Sequence, residues 1–159
     1  MKKLKVVVAD DIDVMRNIMS DKLKEDERIE VVGIAEDGLK EYEMIKALKP
    51  DLVITDNQMP NMNGLDVIKK IAEEELDKKP EFIMISGDTL NSRYRELNVK
   101  WIFNKPVDYD NILRFVVEEY LEMEKNVVSQ ESEECIICEN TGNSKSKGGF
   151  LDKIKKLLS

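Results

Sequence analysis

Four groups of residues in this chain could do chemistry together: the pair Asp10-Asp11, Asp56 within ITDNQMPNMNG (residues 54–64), Ser86, and Lys105 followed by Pro106. Each stands at the end of an apolar run. A carboxylate there is costly unless a metal ion or a lysine makes use of it. Three carboxylates brought together would repel one another, and a hard divalent cation with oxygen ligands relieves the repulsion. Mg2+ suits such a place because it keeps several waters and accepts phosphate oxygens. Lys105 would neutralise a second anion and Ser86 would offer a hydroxyl. Set around one nucleophilic carboxylate, these groups suit an incoming phosphoryl group.

That chemistry requires residues from the start of the chain to position 105 to meet, so the elements between must bring them to one edge. Short runs rich in Val and Ile fall at 4–9, 30–35, 52–55, 82–85 and 101–103, each the length of a strand. Between them Met15, Ile18, Met19 and Leu23 recur at helical spacing, as do Leu39, Tyr42, Ile45 and Leu48, then Leu65, Ile68, Ile71 and Ala72. A short helix is expected within 88–98. A last one carries Ile112, Leu113, Phe115, Val116, Tyr120 and Leu121 and is capped by Asp108 or Asp110. Alternating β and α units imply right-handed crossovers and a parallel sheet covered on both faces, a doubly wound α/β sandwich. In such a sheet all strands end on one rim, where ligands bind. The second strand ends in Glu36, Asp37 and Gly38, and an edge position is expected to keep these away from the others. Pro60 should stiffen the loop after Asp56, and Gly64 should lend φ freedom to the turn into the third helix.

Composition removes several other functions. The 159 residues suffice for one core and a little more, so one domain with an appendage is expected. A formal charge of −8 argues against phosphate-backbone contacts, so no direct nucleic-acid binding is expected. The opening MKKLKVVVADD has too short an apolar run for a signal segment or membrane span, which reads as a soluble cytoplasmic protein. There is no histidine. Histidine-dependent triads are therefore excluded, and any phosphohistidine must come from another protein.

Taken in order, Asp10-Asp11, the phosphoacceptor-like loop at Asp56, Ser86-Gly87 and Lys105-Pro106 resemble the motifs of the receiver domain of two-component response regulators over residues 1–123. The resemblance implies a flavodoxin-like fold with a five-stranded parallel sheet in the order 2-1-3-4-5. It implies that Asp56 accepts a phosphoryl group from a partner histidine kinase. It also implies that Asp11, Asp56 and the Gln58 backbone carbonyl bind Mg2+ with Asp10 assisting through water, and that Ser86 and Lys105 contact the phosphoryl oxygens. Gln58 and Asp88 would flank the path of the water that removes the group, and the Lys105–Pro106 bond would be cis. Receivers commonly carry Tyr or Phe three residues before the lysine as an inward-turning switch. Here that position is Ile102, while Trp101 and Phe103 should face the opposite side, as core. The stretch from Ser86 to Lys105 is short for the family, which shortens the expected fourth helix.

Asp11-Ile12-Asp13 also imitates the DxD of haloacid-dehalogenase-like phosphatases, but these need an acidic pair on a strand after the lysine, and the sequence there turns helical. Beyond the receiver, 124–149 reads as a flexible polar linker and 150–159, FLDKIKKLLS, as a short amphipathic basic helix. It is expected to dock on a partner or a membrane surface. With no output domain expected, the signal would pass by binding an output protein, or onward in a phosphorelay. Cys135 and Cys138 could form half of a zinc site or a redox pair.

Overall fold

The computed structural model describes residues 2–87, 97, 99 and 101–122. Asp88 and nearly all of the expected helix at 88–98, together with the linker, the two cysteines and the tail, lie outside the described residues. Five strands, β1 (Leu4–Ala9), β2 (Ile29–Ala35), β3 (Leu52–Asp56), β4 (Glu81–Ser86) and β5 (Trp101–Asn104), form one sheet in the order β2-β1-β3-β4-β5. All neighbouring pairs are parallel. The strands alternate with α1 (Asp13–Leu23), α2 (Gly38–Leu48), α3 (Gly64–Glu73) and α4 (Tyr109–Val116), the last running on into a π-helical turn at Val117–Leu121. This is the flavodoxin-like doubly wound sandwich expected, and after Lys105 the described chain is helical rather than extended.

Alternation along the strands divides the core in two. Val6, Val8, Ile54, Ile83 and Ile85 face α1 and α4, meeting Met19, Leu23, Ile112 and Val116. Val7, Val53 and Met84 face α2 and α3, meeting Tyr42, Ile45, Ile68 and Ile71. Residues one apart on a strand point to opposite faces, which is why runs of Val and Ile rather than alternating polar residues are needed in a sheet covered on both sides. At β5 the same rule puts Trp101 and Phe103 on the α4 side, edge-on to Phe115 at 4.9 and 5.5 Å, while Ile102 joins the opposite layer. The aromatic pair is packing, as expected.

The helical stripes need correction at their ends. Met19 and Leu23 are buried, but Met15 and Ile18 stay exposed, joined by Ile12 and Val14. Leu39 and Leu48 are likewise exposed, leaving Tyr42 and Ile45 to anchor α2, and Ala72 of α3 faces solvent. A helix lying on a sheet buries only the arc that touches it, so periodicity overstates the covered face at the outer positions. Asp108 is the cap of α4, accepting from the amides of Asp110 and Asn111.

Candidate functional site

Asp56 is the last residue of β3, a strand buried along its whole length, and only 1% of it is exposed. Its carboxylate is held from two directions. Oδ1 accepts from the Gln58 amide at 3.0 Å, and Oδ2 accepts from Lys105 Nζ at 2.6 Å. Lys105 comes from the loop after β5, where its amide donates to the Ser86 carbonyl at 3.0 Å, tying the ends of β4 and β5 together. The Lys105–Pro106 bond is cis, as expected. Burial alone would lower the Lys105 ammonium, but its hydrogen bond to Asp56 and the charges of Asp56, Asp10 and Asp11 outweigh burial and hold its pKa above the usual lysine value.

Asp10 and Asp11 follow β1, the strand next to β3, so parallel pairing sets them beside Asp56. Carboxylate oxygens of all three lie within 4.8 Å of one another. Burial pushes the Asp10 carboxyl up, and Asp56 and Asp11 add to the rise; the Ile12 amide, donating to Asp10 Oδ1 at 2.8 Å, and Lys105 work against it. One lysine does not balance three carboxylates. The set fits a hard divalent cation of the Mg2+ kind: oxygen donors only, one of them exposed and two buried, with a side open to water. Asp10 and Asp56 face each other across neighbouring strands, and Asp11 stands outside them as the exposed member.

Ser86 ends β4 with no exposed surface, its neighbours in register being Asn104 on β5 and, one residue earlier, the Asp56–Ile85 pair. Gln58 reaches Asp56 through its amide, and Ile102 packs into the α2–α3 side of the core away from the carboxylates. Asp88 lies outside the described residues.

Four participants were not legible as such. Arg16 on α1 donates from Nη1 to the Asp10 carbonyl at 2.6 Å and from Nη2 to Asp13 at 2.6 Å, fixing the loop that carries both acids. Asp37 and Gly38, expected to stay apart at the sheet edge, instead grip the loop after Asp56. Asp37 Oδ2 accepts from Asn61 Nδ2 at 3.1 Å, and a Cβ on Gly38 would stand 1.8 Å from the Met62 carbonyl oxygen. The strand is at the edge, but its following helix leans back over the sheet. Glu41, fully buried on α2, lies 2.9 Å from the hydroxyl of Thr55, the residue before Asp56. The one available signal was an acid four residues before Ile45, in phase with the buried side of α2.

Gly64 also differs from expectation. Among the described residues no glycine has positive φ; the left-handed residue of the loop is Asn61, at φ 65°. Gly64 is required for closeness: a Cβ there would meet the Asp56 carbonyl oxygen at 2.6 Å and Thr55 Oγ1 at 2.9 Å. Beside the carboxylates, a cavity of about 490 Å3 opens between α1 and the loop after β5, lined by Val8, Asp10, Met15, Ile54, Lys105 and Tyr109 among others. The exposed Ile12 and Met15 form its outer lip.

Comparison with known proteins agrees with this geometry. The pattern of the response regulator receiver domain matches residues 6–117. A protein-glutamate methylesterase/protein-glutamine glutaminase of Methanococcus maripaludis is 38% identical over 109 residues, 69% of this chain and 28% of the relative. One from Caulobacter vibrioides is 42% identical over 113 residues, 68% of this chain and 32% of the relative. The chain thus spans less than a third of these curated relatives. Among solved structures, the response regulator domain of Thermotoga maritima CheB is 29% identical with a TM-score of 0.61, covering 79% of this chain and 96% of that one. The receiver domain of AraT from Geobacillus stearothermophilus is 32% identical with a TM-score of 0.64, covering 77% and 98%.

Proposed function

Because the chain belongs to the response regulator receiver domain family, we propose that it is a phosphorylation-driven signalling switch in which Asp56 takes a phosphoryl group from the phosphohistidine of a partner histidine kinase. The observation that carries this reading is the buried Asp56 carboxylate, held between Lys105 and the Gln58 amide and crowded by Asp10 and Asp11.

An Asp56 oxygen attacks phosphorus, the phosphorus–nitrogen bond breaks, and the donor imidazole leaves with its electron pair and takes up a proton. Mg2+ held by Asp11, Asp56 and the Gln58 carbonyl, with Asp10 through water, would supply positive charge against which an anion can approach an anion. Lys105 exchanges its bond to Asp56 for one to a phosphoryl oxygen, and Ser86 donates its hydroxyl to another. Ser86 ends β4 and Lys105 follows directly on β5, so little reorganisation would accompany transfer. The exposed apolar stripe of α1, Ile12, Val14, Met15 and Ile18, borders the site and suits the helical surface of the donor protein.

The signal then leaves by protein–protein contact with an output protein, without direct nucleic-acid binding, and the same chemistry would serve in a phosphorelay. Among the described residues no helix is long and apolar enough to cross a membrane, and a cytoplasmic setting follows from the soluble kinase domains such a switch must meet. The methylesterase and glutaminase activities belong to the longer relatives.

Incubation with a small acyl phosphate and Mg2+ should add one phosphoryl group per chain by intact-mass spectrometry, and Asp56→Asn should abolish it. Full labelling of that variant would overturn the assignment. Labelling unchanged by chelation would remove Mg2+ from it.

A further inference from the structure

Glu41 sits on α2 with no exposed surface, enclosed against the sheet beside the end of β3. Its Oε1 meets no hydrogen-bond partner among the described residues, and its Oε2 meets only Thr55. An ionised carboxylate so enclosed, without a cation, is among the most costly arrangements a core can hold, whereas a neutral acid leaves only a carbonyl oxygen unsatisfied. The hydrogen count agrees. Thr55 Oγ1 lies 2.9 Å from Glu41 Oε2 and 3.2 Å from the Asp56 carbonyl oxygen, yet a hydroxyl has one hydrogen to give. Directed at the Asp56 carbonyl, it leaves Oγ1 as acceptor, and the proton of the other bond must come from Glu41.

No charge nearby offers an alternative. Burial acts first and Thr55 second on Glu41, with nothing else contributing, and burial pushes its carboxyl up to about 8. On its own helix Lys40 pairs with Glu36 and Lys46 with Glu74, and on α3 Lys69 pairs with Asp66. Asp37 is bound to the Lys40 amide and Asn61, Asp56 to Lys105 and Gln58, and Asp66 to Asn63, while Lys70 lies 4.1 Å over the Tyr42 ring. Gly64 of α3 closes the same junction, pressed against both Thr55 Oγ1 and the Asp56 carbonyl.

We propose that Glu41, carried as the neutral acid, is a positioning residue for Asp56: through Thr55 it ties the end of β3 to α2, and its ionisation loosens the phosphoacceptor. This rests on the reading of Asp56 as phosphoacceptor. It assigns α2 two grips on that region: Glu41 on the residue before Asp56, and Asp37 with Gly38 on the loop after it.

The test pairs two readouts, the rate of labelling by acyl phosphate with Mg2+ and unfolding by urea, each from about pH 6 to pH 9. The variants are Glu41→Gln, which keeps a neutral side chain able to donate to Thr55, Glu41→Leu, Thr55→Val and the double variant, each checked for fold by circular dichroism. Since Glu41 has a higher pKa folded than unfolded, its contribution to wild-type stability is complete below the ordinary glutamate range, falls as pH rises, and is lost once pH passes about 8. Glu41→Gln should lack that decline and the accompanying fall in labelling rate. Glu41→Leu and Thr55→Val should each slow labelling about threefold or more at neutral pH, the double variant being no slower than either, since one linkage is cut. Folded Glu41→Leu and Thr55→Val proteins labelled at the wild-type rate, or a Glu41→Gln protein with the wild-type pH profile, would overturn the proposal. If the wild type itself takes no label, the functional reading fails instead, and the urea comparison still decides whether Glu41 is neutral.

Discussion

At Asp56 the two carboxylate oxygens have different partners, Lys105 on one side and the Gln58 amide on the other, and on the proposed reading this asymmetry bears on how long a phosphoryl group would stay. The amide of Gln58 is engaged by Asp56 while the residue itself remains exposed, leaving its side-chain amide able to meet an incoming water. Asp88 lies outside the described residues; the family resemblance implies that it would flank the same path, where a carboxylate would hold the water or repel a nucleophile. Gln58→Ala and Asp88→Ala should therefore alter the decay of the acyl phosphate by about threefold or more while changing its formation by less than about twofold. Equal effects on the two rates, followed by loss and gain of label, would contradict this.

Among the elements, α2 and α3 meet the loop after Asp56 so closely that Gly38 and Gly64 have no room for a side chain. At Gly38 the added Cβ would stand 1.8 Å from a backbone oxygen that cannot step aside without moving the loop. Helix propensity favours alanine by roughly 1 kcal/mol, but overpacking against backbone costs about 3 kcal/mol, so the clash prevails. Gly38→Ala and Gly64→Ala should both lower the urea midpoint, and Gly64→Ala should also slow phosphorylation, because its clash is with the Asp56 carbonyl itself. A Gly64→Ala protein as stable and as reactive as wild type would show that the junction yields. On the opposite face, α1 buries Met19 and Leu23 but leaves Met15 and Ile18 out. Met15→Ser with Ile18→Ser should slow transfer from a phosphorylated kinase about tenfold while leaving labelling by a small acyl phosphate unchanged. Equal slowing of both would mean the change disturbs the site rather than the docking surface.

For the whole molecule, the negative charge gathered in the full sequence sets the basic segment 150–159 apart. Wound as a helix, its Phe150, Leu151, Ile154, Leu157 and Leu158 would share one face with Lys153, Lys155 and Lys156 around it, and ten residues do not hold a helix in water unaided. As a tethered docking element it would raise the effective concentration of the receiver at whatever that segment binds. Removing residues 149–159 should leave Asp56 labelling unchanged and weaken association with an output protein or with membrane vesicles. A truncated protein that binds as well as the full chain in both assays would leave the segment without that role.

The order of the described strands and helices, and the placement of Asp10, Asp11, Asp56, Ser86 and Lys105 at or just after strand ends, were legible in the sequence, because period-2 and helical patterns are local and parallel topology sends every strand end to one rim. The sequence also carried the side of β5 that Trp101 and Phe103 occupy, since alternation needs no partner. Only the tertiary structure decided which outer helical positions are covered, because that depends on how far each helix leans over the sheet. Leaning is also what brings Asp37 and Gly38 from the edge onto the loop at Asn61 and Met62, and Glu41 onto Thr55. Gly64 shows the same division: a glycine before a helix suggests backbone freedom, but the requirement here is space, and space is set by the carbonyl of a residue on another element.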